Sequence, residues 1–200
     1  EEAVTMDVNV ILGPGLNIKR NPLCGRNFEY FSEDPYHAGM AAAYVKGIQS
    51  KGISACPKHF AANSQELRRM ASDSVVDERT FREIYTTGFE IAVKEGKSKS
   101  IMSSYNEVNG VYANENRHML QEILVDEWGF DGIVLSDCGA IADFYRDYGH
   151  KTHPDAESAS AAAVLSGTDL ECGSSYEALV EAVKQGKIDE KAVDVAVKRL

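Results

Sequence analysis

A parallel α/β fold is the architecture this sequence predicts, on two observations. Short runs rich in Val and Ile alternate with longer stretches of 3.6-residue periodicity, and turn or cap residues sit at the junctions. Residues 7–12 read as a first strand that ends on Gly13-Pro14-Gly15, a turn signal. Asp34 as N-cap and Pro35 at the first helical position open a helix that carries Ala42, Val45 and Ile48 inward as far as Gly52. Residues 52–56 form the second strand. Asp77 caps a helix with Phe81, Ile84, Tyr85, Gly88 and Ala92 on one face, closed by Gly96. The third strand, 100–104, is followed by a helix from Asn116 with Leu120, Ile123 and Leu124 inward and Gly129 at its end. Residues 132–136 are the fourth strand, before an Ala-rich helix from about 157 to 166. A short fifth strand at 168–171 precedes a helix at 175–185, and Ile188 and Asp189 staple and cap a last helix. A doubly wound sheet and a (β/α)8 barrel both satisfy this pattern.

Composition narrows the function classes. The 200 residues carry 21 Lys+Arg against 31 Asp+Glu, a net charge of −10, with no basic cluster to neutralise phosphates, so a nucleic-acid partner is not expected. Hydrophobic residues at 44% and charged residues at 26% match a globular chain and exclude disorder. The longest apolar runs are four or five residues, far short of the ~20 that a membrane span needs. Neither GxGxxG nor GxxxxGK[ST] occurs, and Gly13-Pro14-Gly15 has Pro where a phosphate cradle needs an amide, so no cofactor is expected. Cys24, Cys56, Cys138 and Cys172 are scattered, with no CxxC and no His at ligand spacing. They read as four free thiols and no metal, the pattern of a reduced cytoplasmic setting, although the compartment stays open. The chain opens on Glu1 and closes on Lys198-Arg199-Leu200 in mid-helix pattern, so it reads as a piece of a longer one.

Polar residues gather where the strands end. Residues 53–57 run into Lys58-His59, residues 101–104 into Tyr105-Asn106, and residues 133–136 into Asp137. The carboxyl ends of parallel strands form the functional face of α/β folds, so these side chains would converge there. A carboxylate after an apolar strand stays ionised only among donors, and Lys58, His59 and Tyr105 are donors. Such a carboxylate suits nucleophilic attack on an electrophilic carbon. Each residue also has a plainer reading. Asp137 serves equally as the cap of the next helix, Lys58-His59 as a surface pair, Tyr105 as a rim aromatic, and Arg26 in its loop is ambiguous alone.

At these residues the sequence resembles glycoside hydrolase family 3, the β-glucosidase and β-xylosidase family. The matching stretches are Gly25-Arg26-Asn27-Phe28-Glu29 through Asp34-Pro35, Lys58-His59-Phe60 with Gln65-Glu66 and Arg69, Val76-Asp77-Glu78-Arg79, Ser104-Tyr105-Asn106, Glu127-Trp128-Gly129-Phe130 and Leu135-Ser136-Asp137. The resemblance implies a (β/α)8 barrel, here incomplete with about five β/α units, so that residues 1–200 would be part of the N-terminal domain. It implies an exo-acting retaining β-glycosidase, a β-glucosidase, with Asp137 as nucleophile. Lys58, His59 and Arg26 would hold sugar hydroxyls, Arg69 would reach the sugar or the nucleophile, and Tyr105 would donate to the nucleophile. The partner would be a small or oligosaccharide β-glycoside.

The departures carry as much. A retaining pair needs a second carboxyl about 5–5.5 Å from the first. In family β-glucosidases that Glu lies on a following α/β sandwich domain, which is outside this sequence. The isolated segment is therefore expected to be inactive. The histidine of the family's single-domain hexosaminidases follows KHFPGHG, whereas this chain reads Lys58-His59-Phe60-Ala61-Ala62-Asn63-Ser64. Glu66 and Glu171 are conceivable substitutes, with helix surface the simpler reading of each. Cys138 stands where β-glucosidases commonly have Trp, a feature of the β-xylosidase branch. A β-xylosidase and a non-catalytic sugar-binding fragment are thus the alternatives.

Overall fold

A computed structural model describes all 200 residues. Seven short strands are present: β1 (Val10–Ile11), β2 (Ser54–Ala55), β3 (Asp73–Ser74), β4 (Ser100–Met102), β5 (Glu107–Val108), β6 (Val111–Tyr112) and β7 (Ile133–Leu135). β1 pairs with β2, and β4 with β7, both in parallel. Backbone bonds from Met102 to Pro57 (3.0 Å), Phe60 to Met102 (2.7 Å) and Ser104 to Phe60 (2.9 Å) stitch the two pairs together. A bridge between Leu135 and Leu170 adds the last member. The wall thus runs β1, β2, β4, β7, Leu170, in chain order and all parallel. A doubly wound sheet reverses its order at a switch point, and this wall has none.

The sequence expected longer strands. Pro14 and Pro57 have no N–H to give a ladder, and the β1–β2 pairing stops just ahead of them at Ile11 and Ala55. The predicted fifth strand contracts to the Leu170 bridge.

Alternation along the strands separates two apolar faces. Ala55, Ile101 and Val134 face the main core, beneath the helix Ala41–Gln49, the helix Thr87–Lys94 and the segment His118–Glu127. Phe60 lies at its centre, its ring 5.2 Å from Phe89 and 5.7 Å from Trp128. Cys56, Met102 and Leu135 face the other way and pack together. Both faces are therefore dry, as parallel strands require.

The helix caps follow the sequence. Asp34, Asp77, Asp155 and Asp189 each accept from a first-turn backbone N–H. The helix expected from Asp77 to Gly96 is instead three pieces, with a π-helical turn at Phe81–Tyr85 between α-helical turns. Thr86 and Thr87 explain the break, since both hydroxyls bond back to the carbonyl of Arg82. A small side sheet, β3-β5-β6, was not expected. Its hairpin turns on Asn109 and Gly110, both at positive φ, a two-residue turn of the type that Asn-Gly favours.

One expectation is overturned. Cys138 and Cys172 form a disulfide, Cα atoms 4.4 Å apart, while Cys24 and Cys56 are free and buried. The two follow adjacent members of the wall, β7 and Leu170, so they meet across the sheet. Their separation of 34 residues in the chain hides this. No helix is long and apolar enough to cross a membrane.

Candidate active site

Asp137 emerges from β7 at the carboxyl end of the wall, 9% exposed. Its Oδ1 accepts the N–H of Cys138 at 2.8 Å, while its Oδ2 is buried without a hydrogen bond. The nearest positive or imidazole nitrogen is His59 Nε2, 3.5 Å from Oδ2. Burial pushes the Asp137 carboxyl above the ordinary aspartate range, although the Cys138 N–H, Arg69, Arg26 and Lys58 all pull the other way. Desolvation thus outweighs three cations.

His59 leaves β2 beside Asp137 and is 1% exposed. Burial, with Arg26, Lys58 and Arg69 nearby, drives its pKa down to about 2, so the ring is neutral. Lys58 turns its ammonium to Glu29, 3.4 Å away. The Tyr105 hydroxyl donates to the carbonyl of Cys138, next to Asp137. Burial, and then Asp137, push that phenol up to about 12, so it stays a donor. Cys138 therefore serves the site through its backbone twice, once by its N–H and once by its C=O.

Arg69 stacks over the Tyr105 ring, its guanidinium carbon 4.3 Å from the centroid. It also donates to Glu66 at 2.8 Å. Glu66 in turn lies 3.8 Å from Arg26, and Arg26 is paired with Glu29. Lys58, Glu29, Arg26, Glu66 and Arg69 form one chain of alternating charge that brings three cations to the rim. The loop of Arg26 reaches Glu66 because Gly25, at φ 98°, lets the backbone close on it: a Cβ there would lie 3.1 Å from Glu66.

All six residues expected at the site, Arg26, Lys58, His59, Arg69, Tyr105 and Asp137, are thus brought together. Neither carboxylate suggested as a second acid takes that position. Glu66 is engaged by two arginines, and Glu171 accepts the N–H of Tyr176 at 2.6 Å as a local turn. Two residues sequence reasoning missed belong here. Asn17 brackets His59, and Asp143, 2% exposed, is raised to about 7 by burial, against the pull of Arg69. The position of Asn17 shortly after the first strand's exit is the same signal that marked the other residues.

Comparison with known proteins gives a consistent picture. Residues 1–200 match the family described as the glycosyl hydrolase family 3 N terminal domain. The chain is 48% identical to thermostable beta-glucosidase B of Acetivibrio thermocellus, covering all of this chain and 25% of that protein. It is 46% identical to an exo-alpha-(1->6)-L-arabinopyranosidase of Bifidobacterium longum, over 97% of this chain and 24% of that one. Among solved structures, beta-glucosidase 3B of Thermotoga neapolitana, in complex with glycerol, superposes with a TM-score of 0.88 at 44% identity, over all of this chain and 27% of that one. A family 3 exo-beta-xylosidase, XlnD, bound to a xylobiose aziridine probe, gives a TM-score of 0.88 at 30% identity, with 96% and 26% covered. The chain spans about a quarter of the length of these relatives.

Proposed function

Because the chain belongs to glycosyl hydrolase family 3, we propose that it carries the nucleophile half of a retaining, exo-acting β-glucosidase site, on five units of a (β/α)8 barrel. The observation that bears most weight is the Asp137 carboxylate, with one oxygen held by Cys138 N–H and the other bare and buried beside neutral His59, within electrostatic reach of Arg69, Arg26 and Lys58. A neutral sugar offers only hydroxyls, so it is gripped by donors, and Lys58, Arg26 and Arg69 supply them. The stacking of Arg69 on Tyr105 keeps one guanidinium flat against the site wall.

The chemistry follows from this geometry. Asp137 attacks the anomeric carbon as the bond to the leaving oxygen breaks with its electron pair, and that oxygen takes a proton from an acid. Water then attacks the same carbon and gives its proton to the conjugate base of that acid. The bond to Asp137 breaks and the carboxylate is restored. The acid, as the resemblance to the family implies, belongs to a further domain of a longer protein; Glu66 and Glu171 are held by Arg69 and by the N–H of Tyr176. These residues alone therefore bind sugar and do not turn it over.

In the full-length enzyme, Asp137→Asn abolishes covalent labelling by a 2-fluoro-β-glucoside that labels the wild type one-to-one. Labelling of that variant at the wild-type rate would remove Asp137 from the role. A pentoside-cleaving reading is favoured by Cys138 in place of an aromatic and by the likeness to XlnD. Nitrophenyl β-glucoside, β-xyloside and α-L-arabinopyranoside compared side by side separate the two.

A further inference from the structure

The β1–β2 ladder does not simply end at the site. Leu16 N–H bonds to Lys58 carbonyl at 2.6 Å, and one residue later a side chain takes over from the backbone. Asn17 Oδ1 accepts the N–H of His59 at 2.8 Å, and Asn17 Nδ2 donates to the carbonyl of His59, also at 2.8 Å. These two bonds fix which end of the amide is oxygen, because the reversed amide would set two donors together and two acceptors together. The same Oδ1 lies 3.2 Å from His59 Nδ1. Both residues are buried, at 2% and 1% exposed.

Resting on the nucleophile assignment above, we infer that Asn17 is a positioning residue that locks His59 as its Nδ1–H tautomer and so leaves Asp137 Oδ2 free to attack. A neutral imidazole carries one proton, and His59 is neutral. If Nδ1 were bare, its lone pair would face the Asn17 oxygen at 3.2 Å. With the proton there, the contact is a hydrogen bond. The other neighbour of Nδ1 is the Tyr30 hydroxyl, farther off at 3.4 Å. Nε2 is then unprotonated. It cannot donate to Oδ2, and the two face each other lone pair to lone pair at 3.5 Å, a longer separation than the 3.2 Å between Nδ1 and the Asn17 oxygen. The opposite tautomer would aim an N–H at the attacking oxygen and hold its electrons. The bare Nε2 also supplies an acceptor for a sugar hydroxyl in a site otherwise rich in donors.

The wild-type protein tests this directly. In the full-length enzyme labelled with 15N-histidine, the His59 ring should show a protonated, pyrrole-type Nδ1 and an unprotonated, pyridine-type Nε2. The reverse pattern would overturn the inference without any variant. In Asn17→Ala, Tyr30 becomes the only neighbour of Nδ1 and turns its hydroxyl in, so the pattern should invert. The rate constant for 2-fluoro-β-glucoside labelling should then drop at least tenfold, with the inactivator's binding constant moving less than threefold. An Asn17→Ala protein that melts like the wild type yet keeps its tautomer and labelling rate would also refute the role. Absence of labelling in the wild type would instead strike the nucleophile assignment, so the two failures are distinct.

Discussion

Glu66 shows how a residue with no chemistry of its own can set a site. It joins Arg69 at 2.8 Å and Arg26 at 3.8 Å, and so holds guanidiniums from two different loops. These pairs are about a quarter exposed, where ion pairs contribute little to stability but still fix geometry. Glu66→Gln should therefore lower kcat/KM about tenfold, mostly through KM, while the melting temperature moves by no more than about 2 °C. A collapse in Tm with unchanged KM would make the role structural. At this scale the residues by themselves were legible where a strand exit announced a side chain, and Arg26 and Arg69 only through the family resemblance. Lys58, His59, Tyr105 and Asp137 stand within three residues of an apolar run, and that position is a physical signal. Glu66 stands in a loop and Asp143 in a short 3-10 helix, away from any strand exit, where a carboxylate resembles any solvated one until folding places it near arginines.

Elements were legible by their punctuation. Asp34, Asp77, Asp155 and Asp189 cap helices because their short carboxylates reach a first-turn N–H, a local rule needing no tertiary information. The β5–β6 hairpin was equally written, in Asn109-Gly110 between Val108 and Val111, and was overlooked because its strands are two residues long. The disulfide was not legible, since adjacency of β7 and Leu170 is decided by the wall and not by spacing. Joining residues 34 apart removes unfolded-chain entropy worth about 3–4 kcal/mol in the loop-closure account. In the full-length enzyme, reduction should lower the calorimetric transition of this unit and slow turnover together, because Cys138 holds Asp137 and Tyr105 through its backbone. Equal activity before and after verified reduction would separate the disulfide from the site.

For the whole molecule, three buried groups oppose one another across the same pH range. Burial raises Glu115, which also faces Glu107, and Asp143 to about 7, so both favour the folded state below pH 4 and lose that contribution as pH rises through 7. His59 works in reverse: its pKa falls to about 2, so its contribution is whole above pH 6.5 and shrinks as pH drops. Glu115→Gln removes one of the two groups on the acid side of this balance, leaving Asp143. Relative to wild type, the variant should gain about 2–3 kcal/mol between pH 4.5 and 8, read as a rising difference in melting temperature. A flat difference would place Glu115 outside the balance. His153, 3.2 Å from Glu115, is itself lowered by burial. The order of the wall was predictable as an alternation, yet its sense, chain order without reversal, needed the pairing itself. That Cys138 attends Asp137 and Tyr105 only by its peptide groups has an evolutionary consequence. The side chain at position 138 is free to drift, provided its neighbour at 172 drifts with it, while the carboxylate proposed as nucleophile keeps its setting. On that proposal, new sugar preferences can be explored beside Asp137 without relearning the reaction.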